Sequence, residues 1–371
     1  MSERFDICVI GGGLAGLSAA AGLAAVRSVV LVEREPHWAY HSTGRSAALF
    51  AESYGNPAVR ALTRASRDFY LARDDARQFT RPRGVLYVAA AAQEDELRAL
   101  HATLSAAAPN IEMLRPDAAL QLCPALKPEM LAAALLDPDA RDIDVAAVVD
   151  YYARQFRARG GRPCRDAEVT RIERVDDAWL VRAGAQEIIA DVVVNAAGAW
   201  ADEVARAAGV AAAGLEPRRR TAVRVSSAPW MAADWPFIAD VSEQWYFRAD
   251  AGALLLSPAD ETPSPPCDAQ PDDYDVAVTI ARVEAATRIS VDRPLSAWAG
   301  LRTFAKDRTP VAGFDPRARG FYWLAGQGGY GIQTAPALAE LAVAQITGDA
   351  ALSRLAAAGV DAAGLSPSRL G

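Results

Sequence analysis

Asp6-Ile7-Cys8-Val9-Ile10-Gly11-Gly12-Gly13-Leu14-Ala15-Gly16 is the stretch that decides the fold. Ile7 to Ile10 is an apolar run that reads as a short buried strand, and the alanine-rich segment Leu14 to Ala25 reads as a helix. Between them stands Gly11-x-Gly13-x-x-Gly16, the spacing of a dinucleotide-binding turn. Gly11 allows the tight turn, Gly13 lets the backbone approach a pyrophosphate, and Gly16 lets the helix pack close to the sheet. The helix start offers free N–H groups and a positive dipole end to phosphates. A second apolar strand, Ser28 to Val32, ends at Glu33, close to the spacing expected of a ribose-hydroxyl acceptor. A glycine pattern alone also fits an ordinary turn in an α/β protein. Strand, glycines, helix, strand and terminal acid in one unit specify much more.

Composition narrows the class. A chain of 371 residues can form a large core and about two domains. A net charge of −7 argues against nucleic acid as a partner, and Arg218-Arg219-Arg220 is too short a basic run to change that. The four cysteines are widely and irregularly spaced and the three histidines are scattered, so no metal motif is formed. Arg27 interrupts the longest apolar candidate for a membrane span, and nothing before the first strand reads as a signal peptide. A reducing cytoplasmic setting is expected.

Downstream of Glu33, Arg34-Glu35-Pro36 reads as a strand exit. Tyr40-His41-Ser42-Thr43-Gly44-Arg45-Ser46-Ala47-Ala48 reads as a loop, with Ser46 able to cap a helix. Its small hydroxyl residues suit contact with a polar cofactor, and they suit a surface turn equally well. Ala58 to Arg73 has helical spacing, Arg83 to Val88 reads as a strand, and Ala92 to Ala107 as a polar-faced helix. Pro116 to Pro128 is punctuated by prolines, and Leu131 to Leu136 is apolar. Asp139 to Asp144 reads as a turn with helix-capping acids, and Val145 to Arg157 as the helix that follows. Ala167 to Ile172 and Ala178 to Val181 alternate like paired strands, and Asp191 to Val194 reads as a buried strand ending at Asn195-Ala196-Ala197-Gly198. Thr221 to Val225 reads as a strand. Trp245-Tyr246-Phe247 and Ala253 to Leu256 bracket a turn, which signals a hairpin, and Thr262 to Pro266 reads as a surface loop. Val276 to Ser290 reads as a helix passing into a strand. Gln327 to Gln333 is a glycine-rich loop before a helix over Ala335 to Ile346, which Thr334 can cap, Pro336 can enter and Gly348 can end.

Several of these segments resemble one family. Tyr40 through Ala48, Tyr54-Gly55, Val59 to Thr63, Ile143-Asp144, Val193 to Trp200, Trp298 to Arg302 and Gln327 to Thr334 are similar to the D-arginine dehydrogenases of the D-amino-acid oxidase and glycine oxidase group of flavoenzymes. The likeness is colinear and runs nearly end to end. It implies an α/β fold: a Rossmann-like FAD-binding domain plus an interleaved α+β substrate domain with a largely antiparallel sheet. The implied boundaries are 1–80, 142–214 and 297–371 for the FAD-binding domain, and 81–141 and 215–296 for the substrate domain. The implied cofactor is FAD, held non-covalently.

The resemblance also places residues. Gly11, Gly13, Leu14, Ala15, Gly16, Glu33 and Arg34 would meet the cofactor from the first unit. Ser42, Thr43, Arg45, Ser46 and Ala47 would meet it from the following loop. Val169 would touch the adenine through its backbone, with Ala197 and Gly198 beside the nucleotide. Arg302, Gly328, Gly329, Tyr330, Gly331, Ile332 and Gln333 would meet it from the last segment. The positive end of the last helix would face the flavin's pyrimidine edge and favour the reduced form. Arg302 is implied as the carboxylate-binding arginine, holding the substrate with two parallel hydrogen bonds; its bland alternative is a surface ion pair. Tyr246 and Tyr54 align with active-site tyrosines, with half-buried packing as the alternative. Arg220 aligns with a pocket arginine, or stands on a solvated edge. Gly329 and Gln333 are expected to meet the cofactor or the substrate amine.

Two departures bear on the substrate. Where the D-arginine dehydrogenases carry a glutamate that receives a cationic side chain, this chain has Arg83, and where they carry a pocket histidine it has Leu49. If Arg83 faces the pocket, cationic substrates are disfavoured and acidic or apolar ones favoured. If it does not, only Leu49 biases the pocket, toward apolar side chains. The expected activity is oxidative deamination of a D-amino acid: hydride passes from Cα of the neutral amine to flavin N5, and the imine hydrolyses to a keto acid and ammonia. The electron acceptor, whether quinone, another carrier or oxygen, is left open. Another amine or 2-hydroxy acid (glycine, sarcosine, an opine) would use Arg302 equally well, and a flavin subunit of a hetero-oligomer is a further alternative.

Overall fold

The computed structural model describes residues 2–72, 78–106, 108, 110–348 and 352–371. Arg73 and Ala107, the expected ends of two helices, lie outside them. The opening stretch forms a strand, Glu3–Ile10, and a helix, Leu14–Leu23. The strand is the middle of an eight-stranded sheet. It pairs in parallel with Val29–Val32 on one side and with Gln186–Asn195 on the other, and Arg162–Cys164 extends the sheet beyond Val29–Val32. Val169–Val175 and Ala178–Ala183 add an antiparallel hairpin at the other edge. Phe321–Ala325 joins in parallel to Val193–Asn195 and carries Val311–Phe314 with it. Val29–Val32 and Phe321–Ala325 are buried along their length, as strands covered on both faces are.

Helix Leu14–Leu23 has no polar face. Eight of its ten residues are buried, and it packs against helices Gly331–Thr347 and Val145–Ala158. Gly16 makes the approach to the strand turn possible: a Cβ there would sit 1.9 Å from the Gly11 carbonyl oxygen. Gly11 itself adopts φ +110°, with the Ala196 carbonyl oxygen 2.4 Å from the place a Cβ would occupy.

A nine-stranded, mostly antiparallel sheet forms the second layer. Its eleven-residue strand Glu216–Ser226 pairs with Ala253–Ser257 on one side and with Ser296–Phe304 over a nine-residue register on the other. Tyr246–Asp250 and Ala253–Ser257 form the expected hairpin. Phe237–Asp240, Val85–Ala89, Ala133–Asp137 and Glu112–Leu114 continue the sheet, and Phe237–Asp240 and Val85–Ala89 run parallel. The chain re-enters the first sheet at Val311, beyond the strand that carries Arg302. A three-stranded ribbon of Leu49–Phe50, Arg141–Ile143 and Thr80–Pro82 completes the strands. Among the described residues no helix is long and apolar enough to cross a membrane.

Five local expectations differ from what is found. Ser46 caps no helix: its hydroxyl accepts from the Ala48 N–H, and the chain goes straight into a strand. Ala58 to Arg73 is not one helix; Pro57–Ala65 and Arg67–Leu71 are separated at Ser66, whose hydroxyl turns back to the Leu62 carbonyl. Asp139 to Asp144 holds a strand, Arg141–Ile143, and only Asp144 caps the following helix, through the Ala147 N–H. Val276 to Ser290 lies in helix Asp273–Ala286 as far as Ala286, and beyond it Thr287 makes an isolated antiparallel bridge to Leu126 in place of the expected strand. Helix Gly331–Thr347 starts before Thr334, so Thr334 is not its cap and Pro336 lies inside it. Pro336 has no N–H for the Ile332 carbonyl four residues back. The buried Tyr70 hydroxyl donates to that carbonyl instead, at 2.5 Å, which supplies the bond the helix interior loses.

Candidate active site

A cavity of about 410 Å³ runs between the two sheets. From the first sheet it is lined at the carboxyl ends of the strands by Ile10, Val32, Glu33 and Ala196 to Gly198. That is where ligands lie in a doubly wound sheet. The second sheet contributes Arg220, Tyr246 and Gly300 to Thr303. The structure brings most of the sequence-derived cofactor residues to this cavity: Gly11, Gly13, Leu14, Ala15, Glu33, Arg34, Ser42, Thr43, Arg45, Ser46, Ala47, Val169, Ala197, Gly198, Arg302, Gly328, Gly329, Gly331 and Ile332 all line it. Gly16 lies beneath the wall, consistent with its packing role. Tyr330 is not at the surface of the cavity; its ring packs against Tyr54 with centroids 4.8 Å apart.

The nucleotide end is built around Glu33. It is 8% exposed, and its carboxylate accepts from the Gly12 N–H at 2.5 Å and from the Glu35 N–H at 2.9 Å. Burial pushes its acidity toward the neutral form, against those two N–H bonds. Thr43 reaches the helix start: its hydroxyl oxygen accepts from the Leu14 N–H at 3.1 Å. Arg45 is less free than expected of a cofactor ligand. Its guanidinium donates to the Tyr40, Ala269 and Ala299 carbonyls and to Asp268, so it fixes its own loop to the strand carrying Arg302.

The reactive end is built around Arg302. Its strand pairs with Glu216–Ser226 along one edge, and along the other the Ser42 hydroxyl donates to the Leu301 carbonyl at 2.5 Å and the Gly328 N–H to the Thr303 carbonyl at 2.8 Å. The guanidinium lies against Gly329, where a Cβ would stand 2.8 Å from Nη1. Among the described residues no ion pair is formed by Arg302, and its hydrogen-bonding neighbour is the Tyr54 phenol. Burial opposes its charge, yet the surrounding phenols of Tyr54, Tyr246 and Tyr330 hold it firmly protonated. A fork-shaped cation without an anion, on the wall of a cavity, is the complement of a carboxylate.

Tyr246 is 8% exposed, stacks on Phe237 at 5.0 Å and lies between two cations. Burial disfavours its phenolate, but Arg302 and Arg220 outweigh burial and hold its acidity below the ordinary tyrosine range. A phenolate here competes with a bound carboxylate for Arg302. We therefore expect the KM of a carboxylate substrate to rise on the alkaline side, at lower pH than a free tyrosine would ionise. Steady-state pH profiles check this: Tyr246→Phe should remove that limb, and its survival in the variant would assign it elsewhere.

A side-chain recess of about 70 Å³ continues from Arg302 and Tyr246. Leu49, Val85, Phe237 and Ala239 give it apolar walls, and Tyr54, Tyr87, Glu243 and Gln333 also line it. Gln333 is committed to protein: its amide oxygen accepts from the Ala51 N–H and its amide nitrogen donates to Thr63. These two bonds fix the orientation of its amide at the wall of the recess.

Arg83 requires a correction. It does not line the cavity or the recess. Its guanidinium is 5% exposed and bound to Asp142 at 2.6 and 2.8 Å, with the Ala233 and Trp235 carbonyls taking the remaining bonds. Asp142 also faces Arg248 at 3.2 Å, so a buried acid draws both cations inward. Alignment could place Arg83 near the pocket, but a shared carboxylate decides which way it turns. Arg83→Met should lower unfolding stability by less than the about 3–5 kcal/mol that a fully unpaired buried charge costs, because Arg248 and Arg81 still face Asp142, and it should not alter relative preference among substrates. A denaturation midpoint and a substrate panel test both halves.

Sequence reasoning missed Gly12, Thr303 and Gln327. Gly12 is required because Trp38 packs where its Cβ would be, 2.4 Å from a ring carbon. Thr303 Oγ1 and Gln327 Nε2 line the cavity and are buried with no hydrogen-bond partner among the described residues. Such orphan groups are uncommon in folded proteins and are what a polar ring against this wall would satisfy. With Glu33 at the strand end and the glycine turn beneath a helix start, they make the residues present a fit for a flavin dinucleotide.

The chain was compared with known proteins on this footing. In its fold it is similar to the crystal structure of glycine oxidase from Geobacillus kaustophilus, at TM-score 0.80 and 19% identity over 94% of this chain and 96% of that one. It is also similar to L-proline dehydrogenase from P. horikoshii, at TM-score 0.84 and 20% identity over 100% of this chain and 98% of that one. By sequence it is 26% identical to FAD-dependent oxidoreductase domain-containing protein 1 of Bos taurus, over 93% of this chain and 81% of that protein. Residues 6–345, which include every cavity-lining residue discussed above, match the family described as FAD dependent oxidoreductase. The chain belongs to that family, and its cofactor is FAD.

Proposed function

We propose that the chain oxidises the α-amine of a D-amino acid to an imino acid, which water converts to a keto acid and ammonia. The observation that carries this reading is Arg302: a guanidinium without an ion pair among the described residues, where the cofactor cavity meets the recess. Arg302 and the Tyr54 phenol hold the substrate carboxylate, and the recess receives the side chain. Set on a strand held along both edges, Arg302 fixes the carboxylate, and with it the direction in which Cα–H points. FAD, when bound, supplies the two-electron acceptor for that bond.

The amine must be neutral to give up hydride. The presence of a recess favours an amino acid with a side chain over glycine or sarcosine. With Arg83 turned away, the apolar walls favour a medium-sized uncharged side chain. The D configuration is supported by the resemblance of Tyr40 to Ala48 and of Gln327 to Thr334 to D-amino-acid enzymes. Keto acid and ammonia release by the isolated, FAD-loaded protein tests the reading, using D- and L-forms of leucine, methionine, glutamate and arginine. Release from D-leucine and D-methionine above the other compounds is expected. Release from the L-forms alone would contradict the assigned configuration, and release only with a second protein present would make the chain a subunit.

A further inference from the structure

We infer that Glu261 sets this site to take one carboxylate and to turn away a second. The inference rests on the reading that Arg302 holds a substrate carboxylate. Arg220 and Arg302 stand on adjacent antiparallel strands. Arg220 lies directly across from Gly300, and Arg302 is two residues further along. Positions two apart on a strand share a face, so both guanidiniums enter the same wall. Both line the cavity and the recess. A wall with two cations would suit a dicarboxylate.

The two arginines differ in what already holds them. Among the described residues Arg302 has no ion pair, whereas Arg220 donates from Nε to the Asp260 carbonyl at 2.8 Å and from Nη2 to Glu261 Oε1 at 3.4 Å. Glu261 does not line the cavity, so it reaches Arg220 from behind. It is also held in place. Arg308 grips both its oxygens, at 2.7 and 2.9 Å, and the Arg308 guanidinium lies 4.0 Å over the Phe304 ring. Although partly buried, Glu261 is kept ionised by Arg308 and Arg220. Of Arg220 and Arg302, the first is thus matched by protein, and the second remains for the ligand. A second ligand carboxylate at Arg220 would sit beside Glu261, and like charges at such range repel. Glu243, the carboxylate on the recess, adds to that repulsion. Glu261 is a specificity-determining residue that never touches the substrate.

The test is a gain of binding. The FAD-loaded protein is titrated with butyrate and with glutarate, inert acids that differ by a terminal carboxylate, and the flavin absorption spectrum reports binding. Glu261→Gln should raise affinity for glutarate relative to butyrate by about tenfold or more, the scale of a close charge pair created or removed. Glu261→Ser, which removes the same charge with less bulk, should do the same. Adding Arg220→Met to Glu261→Gln should return the ratio to that of the unsubstituted protein. An unchanged ratio in the folded single variants, or a gain that persists without Arg220, would overturn the inference while leaving Arg302 in its role. If butyrate fails to perturb the flavin of the unsubstituted protein, the Arg302 reading fails and the inference falls with it.

Discussion

Arg302→Met should raise the KM for an amino-acid substrate by roughly two orders of magnitude or more, with FAD still bound. The loss follows from removing one partner of a buried, hydrogen-bonded charge pair, which costs about 2–5 kcal/mol. Methionine keeps the apolar stem and removes the fork. The strand itself is held by Ser42 on Leu301 and by Gly328 on Thr303, and these bonds do not involve the guanidinium. Flavin content should therefore be close to that of the unsubstituted protein. Arg302→Lys should recover part of the affinity, since it restores the charge without the two parallel bonds. The substitution has a second readout: with one of its two cations gone, Tyr246 should ionise at higher pH, moving the alkaline limb upward. Steady-state kinetics across pH, with flavin absorbance for occupancy, measure all of this. An unchanged KM would show that the carboxylate is held elsewhere.

Gly16→Val should produce a protein that purifies without flavin colour. The Cβ would stand 1.9 Å from the Gly11 carbonyl oxygen and 3.2 Å from the Ala196 side chain. Neither neighbour can yield: Gly11 is pinned by its N–H bond to the Val32 carbonyl, and Ala196 by its N–H bond to Ile10. The helix must therefore move away from the sheet, carrying its N-terminus off the cavity. Overpacking of this kind costs about 1–3 kcal/mol or more, so the melting temperature should fall as well. The ratio of FAD to protein and a thermal melt test the two effects. Full occupancy in Gly16→Val would mean that the helix start does not position the cofactor.

The parts of this account that were legible in the sequence are those in which local spacing and three-dimensional role coincide. The first strand, the glycine turn, the helix and Glu33 form one continuous segment whose parts depend on one another, so their order alone locates the cofactor end. Arg302 was legible through the resemblance of Trp298 to Arg302, which places the carboxylate-binding arginine there. Arg83 was not legible, because its direction depends on Asp142, Ala233 and Trp235, which are distant in sequence. Glu261 was missed for a similar reason: it follows a hairpin in what reads as a surface turn, and only the pairing with Arg220 and Arg308 gives it a role. Pro336 shows a subtler limit. A proline fits the first turn of a helix, but here the helix begins earlier because Tyr70, far away in sequence, supplies the bond that proline cannot make.

The most direct test of the central claim, that a carboxylate on Arg302 presents the substrate to FAD, is anaerobic mixing of the FAD-loaded protein with D-methionine. In parallel the protein is mixed with 3-(methylthio)propylamine, the same molecule without its carboxylate, and the visible flavin band is followed. The account predicts that the amino acid bleaches the band and that the amine leaves it intact at the same concentration. Equal bleaching by both compounds, or bleaching by the amine alone, would contradict it.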